Sequence, residues 1–577
     1  MASREALEQR NAHSRECTPA ANTQLNALAP VSRLPPEVLS EVFLQHVRHC
    51  DDPVGPHYRR SSGVPVGRWI RVTHVCTYWR ETALECAMLW SHLEAPACPD
   101  LLAELLVRSK DVPLSMALTF CATRQTHSGH LEPSEDTLLL ALSALHRVKT
   151  LYVYARWDYR ATDPVLQRLG SGAPLLESLT IIGAPNNSGL ADLYSSISSL
   201  LSHPEARPLS TLVSVHSHFT WGKIPFDGLA RLDISGTCNP SQSGTKSFLT
   251  ALGHMPCLEE LKLKGFFTRN LRAAMWSLPG SAIPSFPALI ALPRLRRLWV
   301  HQEIAHTTTT FLNSLRTPSL SHLSVDAFPS GLKDDFLLFE AMAQKAATLG
   351  RFMTVSLWLH QLYTSHETHF RAYRDVCQRT TDPKDDSTSV WLQRHVPVLE
   401  YHGRNNIPDT LPLTKFFQTL PVGYAQSLIL GGQFPTSDEW LGLTRCMETV
   451  IELRLHHITG DASAPCNALS LRAQQDTGDA RAPFVLPNLR TLTMDEFNFE
   501  GCLPMSLAEH LTRGLVGIIP KLQACFARRA EEGQGIKILR ILSAWELWID
   551  DLERLREAVP CVESDGILES FFSCFEA

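Results

Sequence analysis

The sequence predicts an α/β protein in two parts. A small N-terminal domain of three helices comes first, and a solenoid of strand–helix units follows, its strands forming one curved parallel sheet. Three observations carry this expectation. Two apolar stripes at helical spacing lie close together near the start, in LPPEVLSEVFLQHV (34–47) and WIRVTHVCTYWRETALECAMLWSHL (69–93). A short phrase, L-x-x-L-x-hydrophobic, then recurs along most of the remaining chain. Finally, 577 residues are too many for one compact core, and units that each touch only their neighbours are one way to use such a length.

The first helix opens with Leu34, Pro35, Pro36 and Glu37. Proline suits a first turn because the amide it lacks would be unpaired there, and an acid in that turn faces the positive end of the helix dipole. Val38, Leu39, Val42, Phe43 and Val47 then fall on one stripe. In the second stretch Val72, Val75, Cys76, Trp79 and Ala83 form another, and Leu89, Trp90 and Leu93 follow after a break. So small a bundle buries little apolar surface alone, so its surplus needs a second surface, either the rest of the chain or a partner.

These pieces, LPPE, the Val38/Leu39/Val42/Phe43 stripe, VCxxWR (Val75, Cys76, Trp79, Arg80) and LW (Leu89, Trp90), occur in the order in which an F-box has them, and residues 32–95 resemble that family. The segment from Cys50 to Arg68 departs from it. It is longer than the usual link between the first two helices and carries three prolines and three glycines, which predicts an exposed loop at 50–68. Residues 1–31 are polar, mixed in charge and expected to be disordered.

From 96 to 577 the expected pattern is strand and helix in alternation. Leu101, Leu102, Leu105 and Leu106 make a helix stripe; LSMALTF (114–120) and VKTLYVYA (148–155) read as strands, with a helix at 138–146 between them. The phrase then appears as Leu176-Leu179-Ile181, Leu229-Leu232-Ile234, Leu258-Leu261-Leu263, Leu295-Leu298-Val300 and Leu320-Leu323-Val325, and later as Val450-Leu453-Leu455 and Leu489-Leu492-Met494. Counted from Leu151, the middle leucines are spaced by about 28, 53, 29, 37 and 25 residues, and 53 holds two units if 209–215 is a strand. The recurrence resembles an irregular leucine-rich-repeat array. The asparagine usual at the end of that phrase is mostly missing, which leaves the strand-to-loop corners open. Between Val325 and Val450 the phrase weakens: 336–349 reads as a helix, 355–360 as a strand and 366–377 as a helix. Loop insertions are expected near 378–389 and 459–484. Helical character over 507–529, a strand at 536–542, a closing helix at 547–558 and a docked apolar end, FFSCFEA, complete the expectation.

Composition narrows the function classes. A net charge of −6 supplies no positive field for nucleic acid. The richest apolar window, 138–145, is far short of a membrane span. The first thirty residues hold no apolar core of a secretory signal, and fifteen cysteines without one predict free thiols in an intracellular, reducing setting, cytoplasmic or nuclear. GxSxG, Walker-type and HExxH motifs do not occur. Gly244-Thr245-Lys246-Ser247 has the wrong spacing for a phosphate loop. His46, His49 and Cys50 lack a second pair of metal ligands, and His456-His457 and His366/His369 read as surface or packing residues. No enzyme activity, cofactor or metal is therefore expected. The F-box resemblance implies a substrate-recognition subunit of an SCF-type (Skp, cullin, F-box) E3 ubiquitin ligase. It would dock on a Skp-type adaptor through Leu34, Pro35, Pro36, Glu37, Val38, Leu39, Val75, Cys76, Trp79, Arg80, Leu89 and Trp90, and bind a protein substrate through the repeats. An adaptor-binding scaffold without a ligase role is the alternative.

Overall fold

The computed structural model describes residues 26, 29–50, 70–94, 98–120, 133–155, 162–183, 190–217, 221, 226–236, 242–267, 289–328, 332–361, 366–377, 387–405, 413–459, 463–472, 482–499, 518–545, 547, 549–565 and 568–569. Of the expected disordered start, 1–31, only residues 26 and 29–31 are described, with a 3₁₀ helix at Pro30–Arg33; the loop at 50–68 beyond Cys50 and the FFSCFEA end lie outside the described residues. The protein is mixed α/β with large, mostly parallel sheet, and it divides into two compact units, Met1–Met255 and Pro256–Ala577.

One backbone plan recurs in both units. The first leucine of the phrase closes a turn: the amides of Leu176, Leu229, Leu295, Leu320 and Leu489 each donate to the carbonyl three residues earlier, at 3.0–3.3 Å. The two residues before the middle leucine then donate together to one carbonyl at the entry of the neighbouring strand, as Ser210 and Thr211 do to Glu177, Arg296 and Arg297 to Glu259, and Arg490 and Thr491 to Ile451. Four residues beyond the middle leucine the chain turns left-handed, at His216, Gly236, Gly265, Gln302, Gly432, His457, Glu496 and Ser543. This conformation is strained for a side chain with a Cβ. It persists because the amide there extends the ladder: His216 donates to Ser235, Gly265 to His301 and Glu496 to Leu542. The corner is therefore made by main-chain bonding, and the asparagine that would have marked it in sequence is not required.

In the first unit, helix α1 (Pro36–Cys50) and helix α2 (Thr77–Glu85) are followed by a 3₁₀ turn, Ala87–Trp90, and strand β1 (His92–Glu94). Strands β2 (Leu114–Phe120), β3 (Val148–Ala155), β4 (Ser178–Ile182), β5 (Thr211–Val215) and β6 (Arg231–Ser235) then pair side by side, all parallel and in chain order from β1. β5 fills the 53-residue gap. Alternate side chains, such as Leu151, Val153, Leu179, Ile181 and Leu212, are fully buried, as the two-residue period of a strand requires. Intervening helices cover them; Ala191–Leu201 buries Leu193, Tyr194, Ile197, Leu200 and Leu201. Gly244 to Ser247 lies within the helix Gln242–Leu252, so it forms no loop around a phosphate.

The second unit begins in the same way with β7 (Glu260–Lys264), β8 (Arg297–Ile304) and β9 (His322–Phe328), parallel neighbours in order. The order then breaks. β10 (Thr354–Gln361) and β11 (His366–Tyr373) form an antiparallel hairpin, and β12 (Leu399–Asn405) slots between β9 and β11. β13 (Ser427–Gln433) resumes beside β10, followed by β14 (Glu452–Thr459), β15 (Thr491–Asp495), β16 (Ile538–Leu542) and β17 (Cys561–Ser564). The spatial order across the break is β9-β12-β11-β10-β13, with β11 alone antiparallel to both neighbours. This corrects the helix expected at 366–377: His366–Tyr373 is a strand, with Phe370 and Ala372 buried on the core face. The insertion expected at 459–484 also contains order, the helix Ala464–Leu469. The C-terminal expectations at 507–529, 536–542 and 547–558 correspond to the helix Ile518–Glu531, β16 and the helix Ile549–Ala558.

Between β11 and β12, the helix Thr388–Arg394 packs on the sheet face opposite the core. Trp391, on the helix Thr388–Arg394, packs with Tyr373, Cys377 and Ile429. The Thr388 amide donates to Asp495 Oδ2 at 2.7 Å and Ser389 Oγ meets His456 Nε2 at 3.2 Å. This explains why Ile429, Arg454 and Thr493, which alternate away from the core, are nonetheless fully buried.

Candidate functional site

The N-terminal helices sort the predicted adaptor residues into two groups. Leu39, Phe43, Val47, Ala83, Leu89 and Trp90 are buried. Trp90 Nε1 donates to the Ala83 carbonyl at 2.9 Å, and the Arg108 guanidinium lies 4.6 Å from the Trp90 ring centre. Leu34 is fixed by its carbonyl, which accepts the Tyr78 hydroxyl at 2.6 Å. Cys76 caps α2, its Sγ accepting from the Trp79 amide at 3.5 Å, and Trp79 is half-buried against Phe43 with ring centres 5.1 Å apart. Leu39, Leu89 and Trp90, expected at the adaptor surface, therefore hold the helices together from inside. Pro35, Pro36, Glu37 and Arg80 are exposed. So are Val38 (46%), Val42 (47%), Val75 (55%) and Met88 (49%). The single stripe read in α1 is thus split: Leu39 and Phe43 face inward, while Val38 and Val42, one turn apart, face outward. Met88 was not singled out in the sequence, because it sits in the turn between α2 and β1.

A second concentration of functional side chains lies in the second unit. Register places Asp326 (β9), His402 (β12), His369 (β11), Trp358 (β10), Gly431 (β13), His456 (β14) and Asp495 (β15) in one cross-strand row, on the face opposite the core. A Cβ on Gly431 would sit 2.5 Å from the Trp358 ring, so the glycine lets that indole lie across the strand. His369 and His402 stack with ring centres 3.9 Å apart. His369 Nε2 is 3.6 Å and His402 Nε2 3.8 Å from Glu367 Oε2, and His402 Nδ1 is 3.7 Å from Asp326 Oδ1. His301 Nε2 meets Ser324 Oγ at 2.9 Å beside this group.

The charges in the row follow from burial and neighbours. Burial, aided by the positive Lys262 and Lys264, lowers His301 to about 4. Burial, then His402 and His360, lowers His369 to about 4 against the pull of Glu367. Burial also lowers His322. Asp495 goes the other way for a different reason: burial would raise its pKa, but the His456 ring and the Thr388 amide outweigh it and hold the carboxyl below its ordinary range. The histidine shifts set a pH dependence. An unfolded chain takes up these protons near 6.5 and the folded chain only near 4, so the stability is present above pH 6.5 and is lost as pH falls from 6.5 toward 4. In a buffer containing chelator the thermal midpoint should fall through that window, and His301→Asn with His369→Asn should flatten the decline. An unchanged slope in the double variant would contradict the assignment.

Other sequence candidates stay apart. His46 is exposed, and the side chains of His49 and Cys50 lie outside the described residues. His456 is buried against Asp495, while His457 is turned outward in a left-handed corner near Glu496. Among the described residues no cysteine is in a disulfide, and no helix is long and apolar enough to cross a membrane. No protein-family model matches the chain, and no match is found among curated proteins.

Proposed function

We propose that this chain is a substrate-recognition subunit of an SCF-type E3 ubiquitin ligase, an F-box protein whose strand–helix units form a leucine-rich-repeat solenoid. In this reading α1, α2 and the turn Ala87–Trp90 dock on a Skp-type adaptor, and the cullin core brings a charged ubiquitin-conjugating enzyme to a protein bound by the repeats. The chain itself does no chemistry. It raises the effective concentration of a substrate lysine.

The observation that carries the reading is the exposed apolar set, Val38, Val42, Val75 and Met88, on helices whose other face is filled by Leu39, Phe43 and Trp90. A purely structural bundle would turn such side chains inward, whereas a docking surface needs them outside. Pro35 and Pro36 fit the same role, rigid and exposed at the start of α1. The repeating plan of turn, paired amides and left-handed corner supports the solenoid half of the proposal. The test is co-purification of a Skp-type adaptor with the full chain and with residues 96–577. The full chain should bring it down and the shortened chain should not; equal capture would refute the docking site. A cullin-dependent ubiquitination assay on captured proteins then separates a ligase receptor from a scaffold that binds the adaptor without a ligase role.

A further inference from the structure

The cluster at the centre of the cross-strand row has the donors and the geometry of a metal site. His369 and His402 are direct partners in the antiparallel ladder between β11 and β12, and Glu367 precedes His369 by two residues, so all three side chains share one face. Their ligand atoms lie within 4.8 Å of one another. We propose that Glu367, His369 and His402 bind a divalent transition-metal ion of the zinc class on the face of the sheet opposite the core.

Two imidazoles and a carboxylate are borderline donors, suited to zinc or cobalt rather than to calcium or magnesium, which take oxygen. Both Nε2 atoms already approach the same Glu367 oxygen, at 3.6 and 3.8 Å. A tetrahedral ion with bonds of roughly 2.0–2.1 Å holds neighbouring ligand atoms about 3.3–3.5 Å apart, so the two His–Glu distances need to shorten by a few tenths of an ångström, and the stacked imidazoles must turn out of their face-to-face arrangement for both Nε2 atoms to point at one ion. The Asp326 carboxylate beside Nδ1 of His402 is the outer partner that metal-binding histidines commonly have, and it leaves Nε2 as the ligating atom. All three ligands are partly exposed, which gives an ion a way in and leaves a fourth position for water. Three strands fix the geometry. The β10–β11 hairpin and the slot taken by β12 bring Glu367 and His369 against His402, a meeting that a simple succession of parallel strands would not produce.

The test uses the full chain, stripped with chelator and titrated with Co²⁺ alone, followed by Zn²⁺ displacement. One equivalent of Co²⁺ should give the visible absorption of a low-coordinate nitrogen–oxygen site, and Zn²⁺ should remove it. His369→Gln and His402→Gln should each weaken Co²⁺ binding by roughly 100-fold, and Glu367→Gln by roughly 10-fold, with circular dichroism unchanged. His254→Gln, at an exposed histidine elsewhere, should leave binding intact. The site is refuted if the natively folded wild-type chain takes up no Co²⁺ at micromolar concentration, or if the double variant His369→Gln/His402→Gln keeps the signal. Neither result depends on whether the N-terminal helices bind an adaptor.

Discussion

Replacing Trp90 with alanine is expected to unfold the N-terminal helices. The indole is 2% exposed, its Nε1 hydrogen-bonds the Ala83 carbonyl, and Arg108 covers its ring. Removing a buried Trp side chain costs about 3–5 kcal/mol through lost burial and the cavity left behind. So small a group, α1, α2 and the 3₁₀ turn Ala87–Trp90, has little more than that to lose. Trp90→Phe keeps most of the volume and loses the hydrogen bond, a smaller loss of about 1 kcal/mol. Trp79→Ala should cost less than Trp90→Ala, because Trp79 is half-exposed; the sequence alone could not rank the two. Urea unfolding followed by tryptophan fluorescence and circular dichroism measures all three. An equal or larger loss for Trp79→Ala would overturn this account of the core.

The second large effect belongs to Arg529. Its side chain is fully buried on the helix Ile518–Glu531. Nη1 donates to the carbonyls of Leu469 and Val485, both at 3.0 Å; Nη2 donates to that of Leu486 at 2.8 Å, and Nε to that of Gln534 at 3.3 Å. Burial lowers its pKa to about 10, still above neutrality, so the guanidinium stays charged and those carbonyls are its solvation. Arg529→Ala strands these acceptors at about 1–3 kcal/mol each, partly relieved by entering water, and a net loss of roughly 3–5 kcal/mol is expected. Arg529→Lys should recover only part of it, since an ammonium cannot reach the carbonyls as a planar fork does. A change within about 0.5 kcal/mol for Arg529→Ala would mean that the helix Ala464–Leu469 and the segment around Val485 are held by other contacts.

The strands were legible because their signal is local. In L-x-x-L-x-hydrophobic the last two apolar positions alternate, and burial on one face demands that period wherever the chain is extended. The break at β10–β12 was not legible, because it depends on which strands become neighbours. The stretch 366–377, HETHFRAYRDVC, also carries Phe370, Tyr373 and Cys377 at intervals of three and four, which suits a helix as well as a strand. Its place between β10 and β12 decided the matter. For the same reason His366 and His369 were read as a pair, whereas the ladder pairs His369 with His402, distant in sequence. In the N-terminal helices the residues were found but their roles were not. Valines at 38 and 42 and leucine and phenylalanine at 39 and 43 fit one broad stripe, and only the packing of α2 and Trp90 determines which of them face inward.

The exposed pair on α1 offers the most direct measurement. The full chain and its Val38→Glu/Val42→Glu variant should be titrated with a purified Skp-type adaptor by isothermal calorimetry. Both side chains are already solvent-facing, so the variant should keep its circular dichroism and thermal midpoint. The account predicts submicromolar binding by the wild-type chain and a loss of roughly 100-fold or more in the variant, the cost of placing two charges in an apolar interface. Wild-type protein that does not bind, or a variant that binds as tightly, would contradict it.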